Sequence, residues 1–412
     1  MSDVQGGIPP VQPFGQPEGQ LPDPEQGFGQ RLALAQRAGG LVAPLLTVAI
    51  AFVMGGLVVL ITTGKNPIKT YQAIFEGAGL NWFFQIPWDF DSIAAFNLQQ
   101  TLIQTTTFIL VGLAVAFAFR CGLFNIGGQG QYLAGAILAV WIGSSFEGMN
   151  PYLHVVLAMV IGTLAGALIA GIAGFLKATV GAHEVISTIM LNWIVLWVGV
   201  YLFGLGGPLQ NSTQESVPVS NDILEGAHLR VWWGDPLLQG LHIGIFFALG
   251  ALVVYYVILN RTTLGYGVKA VGFNPEAARY GGINVARNYF LAMAIAGGFA
   301  GLAGGLDLLG WQYRVDVTTI QGANIGFIGI AVALLGRNTA VGVGLSALLF
   351  AALQTGTASR NLDPTIFAPG VGSSLAVIIQ GLVVLFVGAD LLILILLGWL
   401  RRGRRRTRRS PA

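Results

Sequence analysis

Apolar residues gather along this chain in long blocks separated by short polar stretches. The blocks predict ten membrane crossings, at about 39–63, 93–119, 131–147, 151–177, 185–204, 238–259, 287–310, 323–336, 339–358 and 371–389. A bilayer core requires roughly 20 apolar residues per helix. The third and eighth blocks are short for that. Either their helices begin inside the preceding glycine-rich segment or they are broken there, and irregular backbone at membrane depth needs protein or a water cavity around it.

Composition agrees with the pattern. Of 412 residues, 54% are apolar and 9% are charged, and the mean hydropathy is +0.71. Soluble domains carry roughly 25% charged residues. A soluble enzyme, a disordered protein and a nucleic-acid binder are therefore excluded as classes, and the fold class expected is all-α, a polytopic integral membrane protein. One cysteine, Cys121, leaves no intrachain disulfide framework and no multi-cysteine metal site, and no metal site is expected.

Charge divides the chain into three parts. Residues 1–30 hold Asp3, Glu18, Asp23 and Glu25, no base, and many Gly, Pro and Gln. This composition predicts a disordered segment, and it lacks the basic start and apolar run of a secretory signal. Residues 31–398 form the transmembrane domain, and 399–412 a basic tail with seven arginines in Arg401 to Arg409. The tail follows an apolar helix directly, where anionic lipid headgroups supply the attraction. With the N-terminus inside, 16 of the Lys and Arg fall on the cytoplasmic side and 5 (Lys65, Lys69, Arg230, Arg314 and Arg360) outside. Short cytoplasmic loops retain Lys and Arg, so both termini are expected to be cytoplasmic.

The outer loops 64–92 and 205–237 carry Trp82, Trp88, Trp232 and Trp233, read as an interfacial aromatic belt, with docking of an outside partner as the alternative. Small residues recur every four positions at Gly162, Gly166, Ala170 and Gly174, and again at Gly297, Gly301 and Gly305. That spacing lets helix backbones approach closely. The pattern N-I-G-x-x-G occurs at Asn125–Gly130 and again at Asn324–Gly329, each before a short span. The topology places one copy near each side of the membrane. This is what an inverted repeat produces, with chance in a chain of 59 glycines as the competing reading.

Polar residues inside the spans are the candidates for function. On the second span Asn97, Gln100, Thr101, Gln104 and Thr105 share one helical face, and on the fifth so do Glu184, Ser187, Thr188 and Asn192. Interhelical hydrogen bonding explains either stripe alone; two together favour a hydrated pathway for a neutral, hydrogen-bonding solute. Glu184 has two readings, a helix-start carboxylate favoured by the dipole and a solute-contacting or gating group. Asp307 reads as structural. Asp390 reads as a headgroup-level residue, with Leu391 to Leu400 continuing as an interfacial helix.

Between the sixth and seventh spans, Asn274 is placed to cap a short helix, Pro275 to take its first position, Glu276 to complement its dipole, and Gly281 or Gly282 to end it. The E-A-A-x-x-x-G run from Glu276 to Gly282 resembles the coupling helix by which importer permeases dock on ATPase subunits. Gly122–Gln131, His183–Trp193, Gly272–Ile283 and Gly329–Gly336 extend the likeness. By these stretches the chain resembles a permease subunit of an ATP-binding-cassette importer, in the branch of ribose, branched-chain amino acid and nucleoside permeases. The E-V-I-S-T-I-M-L-N run from Glu184 is most similar to the nucleoside type. Related chains often have Glu where Gln129 stands and Asp where Ile328 stands.

The resemblance implies cytoplasmic ATPase partners, a second related permease forming a heterodimer, an extracytoplasmic substrate-binding protein, and a place in a bacterial plasma membrane. Together the polar stripes and the N-I-G-x-x-G segments give a candidate solute pathway at Gln104, Phe124, Asn125, Gln129, Glu184, Thr188, Asn192 and Asn324. The resemblance implies an ATPase-coupling helix at Asn274, Pro275, Glu276, Ala277, Ala278, Arg279 and Gly282. No G-x-x-x-x-G-K-[ST] loop occurs, so no cofactor is expected on this chain, and ATP and Mg would be used by the partner ATPase. The leading expectation is a nucleoside importer permease. Alternatives are a permease for a simple sugar and an ion-coupled secondary carrier; an intramembrane enzyme finds no G-x-S-x-G, H-E-x-x-H or paired-aspartate motif.

Overall fold

Three helices open on an Asn-Pro pair, and the local chemistry is the same each time. The amide oxygens of Asn66, Asn150 and Asn274 accept backbone N–H groups from Ile68, Tyr152 and Ala277 at 2.9, 3.1 and 3.0 Å. The proline that follows is preset for a helix and leaves no orphan donor. In the computed structural model the described residues are 42–322, 324–358, 374, 377–382 and 385. Segment 1–30, most of the tenth predicted span, Asp390, residues 391–400 and the arginine tail lie outside them.

The helices are α1 (Val42–Thr63), α2 (Pro67–Gly77), α3 (Ile93–Arg120), α4 (Gly128–Gly143), α5 (Pro151–Val180), α6 (Glu184–Phe203), α7 (Gly244–Arg261), α8 (Thr263–Phe273), α9 (Pro275–Tyr280), α10 (Val285–Asp307), α11 (Val317–Gly322), α12 (Ile325–Leu335) and α13 (Ala340–Gly356). A two-stranded hairpin, β1 (Val231–Trp233) against β2 (Leu241–His242), takes up residues the sequence assigned to the start of the sixth span. Among the described residues, six helices are long and apolar enough to cross a membrane: α3, α5, α6, α7, α10 with its continuation to Gln312, and the Val317–Leu335 stretch.

Both short spans are now explained. The third starts inside the glycine segment, with Gly127 as its N-cap. The eighth is broken: α11 ends at Gly322 and α12 restarts after Asn324.

Helix α3 is buried along almost its whole length and packs against α7, α10, α12 and α13. Beside it α4, α5 and α10 meet backbone to backbone. A methyl on Gly166 would run into the Gly297 carbonyl and Gly301, one on Gly301 into the Gly162 carbonyl, and one on Gly135 into Gly301. The two small-residue stripes thus face each other and form a single seam.

The chain from Thr262 to Gly282 is more ordered than the loop its glycines suggest. Thr262 caps α8, and α9 follows it immediately. At the other end of α3, Trp82 departs from the aromatic belt. It is buried, donates its indole N–H to the Asp89 carbonyl at 2.8 Å, and packs on Trp88 and Trp233. Trp88 and Trp232 stay exposed.

Candidate functional site

A cavity of about 850 Å³ opens between α3, α4, α10, α11, α12 and α13. Helix α3 supplies Gln104 and Phe108, and α4 supplies Tyr132. Asp307, Trp311 and Gln312 come from the end of α10, where the helix widens into a π turn at Leu308–Gln312. Thr319, Asn324, Phe327, Phe350, Gln354, Thr357 and Gln380 complete the polar and aromatic lining. Asp307 is the only charged side chain on this wall among the described residues. The residue is 2% exposed, and its carboxylate accepts from Thr107 Oγ1 at 2.6 Å, Tyr132 OH at 2.7 Å and Trp311 Nε1 at 3.3 Å. The remaining polar groups are amides and hydroxyls, which suit a neutral solute with hydrogen-bonding edges and flat faces.

Of the eight pathway residues expected from the sequence, Gln104 and Asn324 line this cavity. Three others build the frame around the start of α4. Asn125 Oδ1 accepts Gly127 N–H at 3.0 Å and pairs with Gln131. Asn192 reaches across from α6, accepting Gly130 N–H at 2.8 Å and donating to the Ile126 carbonyl at 3.0 Å. Gln129 Oε1 accepts Gly326 N–H at 3.1 Å, so the two N-I-G-x-x-G segments touch, and the expectation of one copy near each side of the membrane is not met. The last three lie apart from the cavity wall. Phe124 packs on Phe119 with ring centroids 5.0 Å apart. Thr188 bonds back to the Glu184 carbonyl, and Glu184 pairs with Lys177 at 2.8 Å across the Gly181 turn, where φ is +68°.

The polar stripe on α3 divides in the same way. Gln100 and Thr101 bind the carbonyls of Gln239 and Ala78 at 2.9 and 2.8 Å, and Gln104 faces the cavity. Sequence reasoning missed Tyr132, Trp311 and Asp307 as a group. An acid, a Tyr and a Trp inside apolar spans are the signal that was there to use.

Above the cavity, loop 205–237 is laced to the segment after α10. Leu229 N–H binds the Leu309 carbonyl at 2.7 Å and Ile223 N–H the Tyr313 carbonyl at 2.8 Å. His242 props the π turn. Its ring lies against Gly310, and Nδ1 accepts Gly244 N–H at 3.1 Å. Burial pushes this imidazole down to about 4.

At the far end of α3, α9 stands out from the surface. Phe273 and Tyr280 are 91% and 93% exposed, while Ala278 is buried beneath them. Glu276 and Arg279 pair at 3.6 Å on the exposed face, and Gly282 ends the turn at φ +79°. Gly272 lies so close to the Arg120 carbonyl that no side chain fits, which joins the end of α8 to the end of α3.

The chain matches, over residues 97–388, the family described as branched-chain amino acid transport system / permease component. It is 37% identical to the guanosine ABC transporter permease protein NupP of Bacillus subtilis, over 90% of this chain and 99% of that one. It is 34% identical to the nucleoside ABC transporter permease protein NupB of Lactococcus lactis, over 86% and 93%, and the same organism's NupC matches at 27% over 60% and 78%. The glucose ABC transporter permease protein TsgB13 of Haloferax volcanii matches at 34%, over 84% and 86%. No solved structure matches the chain. Its helices, its broken span and these relatives agree: this chain belongs to the branched-chain amino acid transport system permease family and is a multi-pass membrane transport subunit.

Proposed function

We propose that this chain is the permease subunit of a nucleoside importer, with the cavity beside Gln104, Asp307 and Asn324 on its solute pathway. The observation that carries the reading is the cavity wall: rings at Phe108, Tyr132, Trp311 and Phe327 for a base to lie on, and amides at Gln104, Gln312, Asn324 and Gln354 for its edges. The names of NupP and NupB support the same solute class. TsgB13 favours a second reading, a simple sugar, which amides and hydroxyls also suit.

Energy enters from separate ATPase chains that grip α9. The exposed Tyr280 on this capped helix, with exposed Phe273 at the end of α8 just before it, supports this. Both termini face the cytoplasm. The α9 end gathers Arg120, Lys269, Arg279 and Arg337, the excess expected of that side. A second, related permease completes the core, as the matches to both NupB and NupC suggest, and an external binding protein delivers the solute. The shared N-I-G-x-x-G pattern supports an inverted repeat whose halves rock about the cavity.

The test is uptake. Cells lacking other nucleoside importers, with and without this gene, are given labelled guanosine, uridine or glucose. Nucleoside uptake that depends on the gene is expected. Gene-dependent glucose uptake with nucleoside uptake unchanged overturns the nucleoside reading in favour of the sugar.

A further inference from the structure

We infer that Asp307 is a specificity-determining positioning residue, which fixes Tyr132 and Trp311 as one wall of the solute cavity. A carboxylate inside a helical bundle is costly and persists where it has partners and a task. Its three donors come from α3, α4 and the π turn. Thr107 does not line the cavity; Tyr132 and Trp311 do. The acid therefore ties two cavity-facing rings to α3, a helix buried along almost its whole length. The π turn begins directly after Asp307, and such widened turns recur at functional sites. A tyrosine and a tryptophan held by one carboxylate cannot turn independently. The spacing of their faces then discriminates among flat solutes by ring size, which separates purine from pyrimidine bases.

The inference rests on the nucleoside reading for its choice of solutes. The experiment compares saturating uptake of guanosine and uridine by the wild type, Asp307→Asn and Tyr132→Phe, each normalised to the amount of assembled complex. A role confined to assembly lowers both rates in proportion. A positioning role changes their ratio, by about threefold or more when one ring loses its anchor. An unchanged ratio in both variants overturns the inference. Should Asp307→Asn fail to accumulate, Tyr132→Phe deletes the same hydrogen bond with one atom and decides alone. Should the wild type carry glucose and no nucleoside, the substrate reading fails by itself. The same ratio is then measured with glucose against ribose, under the same criterion.

Discussion

Gly326 donates its backbone N–H to Gln129 Oε1 over 3.1 Å, joining residues 197 positions apart. The bond sits where two helix starts meet, and removing the acceptor strands a buried donor at a cost of about 1–3 kcal/mol. Gln129→Leu is expected to lower both the melting temperature of the purified protein and its transport rate. Gln129→Glu retains the acceptor and is expected to keep transport nearer the wild type. Equal melting temperatures for the wild type and the Leu variant would count against the bond.

The seam between α5 and α10 predicts a sharp contrast between glycines. Gly301→Val pushes a side chain into the Gly162 carbonyl and the Gly166 backbone, so a loss above about 3 kcal/mol is expected. Gly250 has open space around its Cα. Gly250→Ala is expected to leave the melting curve unchanged or slightly raised. Thermal unfolding in detergent compares the two.

These two sites show what could be read beforehand. The four-residue spacing of Gly162, Gly166, Gly297 and Gly301 announced a close helix pair because the rule is local to each helix. The Asn274 cap was legible for the same reason. Helix α8 was not, because Gly265, Gly267 and Gly272 look like loop residues. Their glycines answer close approaches by α7, Asn288 and Arg120, which no local pattern encodes. The Asp307 group was hidden too, since its donors at 107, 132 and 311 converge only in the fold.

The corner between α8 and α9 predicts a separation of folding from coupling. Phe273→Ala with Tyr280→Ala removes two exposed rings and no packed ones. The double variant is expected to melt like the wild type, within about 0.5 kcal/mol, yet to lose co-purification with its ATPase and to lose uptake. Retained co-purification would place the grip elsewhere.

Cys121 is expected to be inert. It is 1% exposed, and burial pushes its thiol up to about 12. A membrane-permeant maleimide at pH 7.5 is therefore expected to leave the folded protein unlabelled and to label it after denaturation, because the thiolate is the reacting form.

His242 gives a pH dependence of definite sign. Its pKa is lowered from 6.5 to about 4 in the fold. Above pH 6.5 the ring is neutral whether folded or unfolded and adds no penalty. Between these values the unfolded chain binds a proton that the folded one refuses, so stability falls as pH falls, by about 3 kcal/mol near pH 4. Melting temperature measured from pH 7 to 4.5 is expected to drop. His242→Asn, which keeps an acceptor for Gly244 N–H, is expected to flatten that slope.

The junction of α4 with α12 has an electrostatic consequence. Gly127, Gly130 and Gly326 have their N–H groups capped by Asn125, Asn192 and Gln129, all neutral amides and none a carboxylate. Each helix start carries about half a positive charge. Two such poles sit side by side where α4 and α12 begin. A cation placed beside them is repelled by the dipoles, while an uncharged molecule is not.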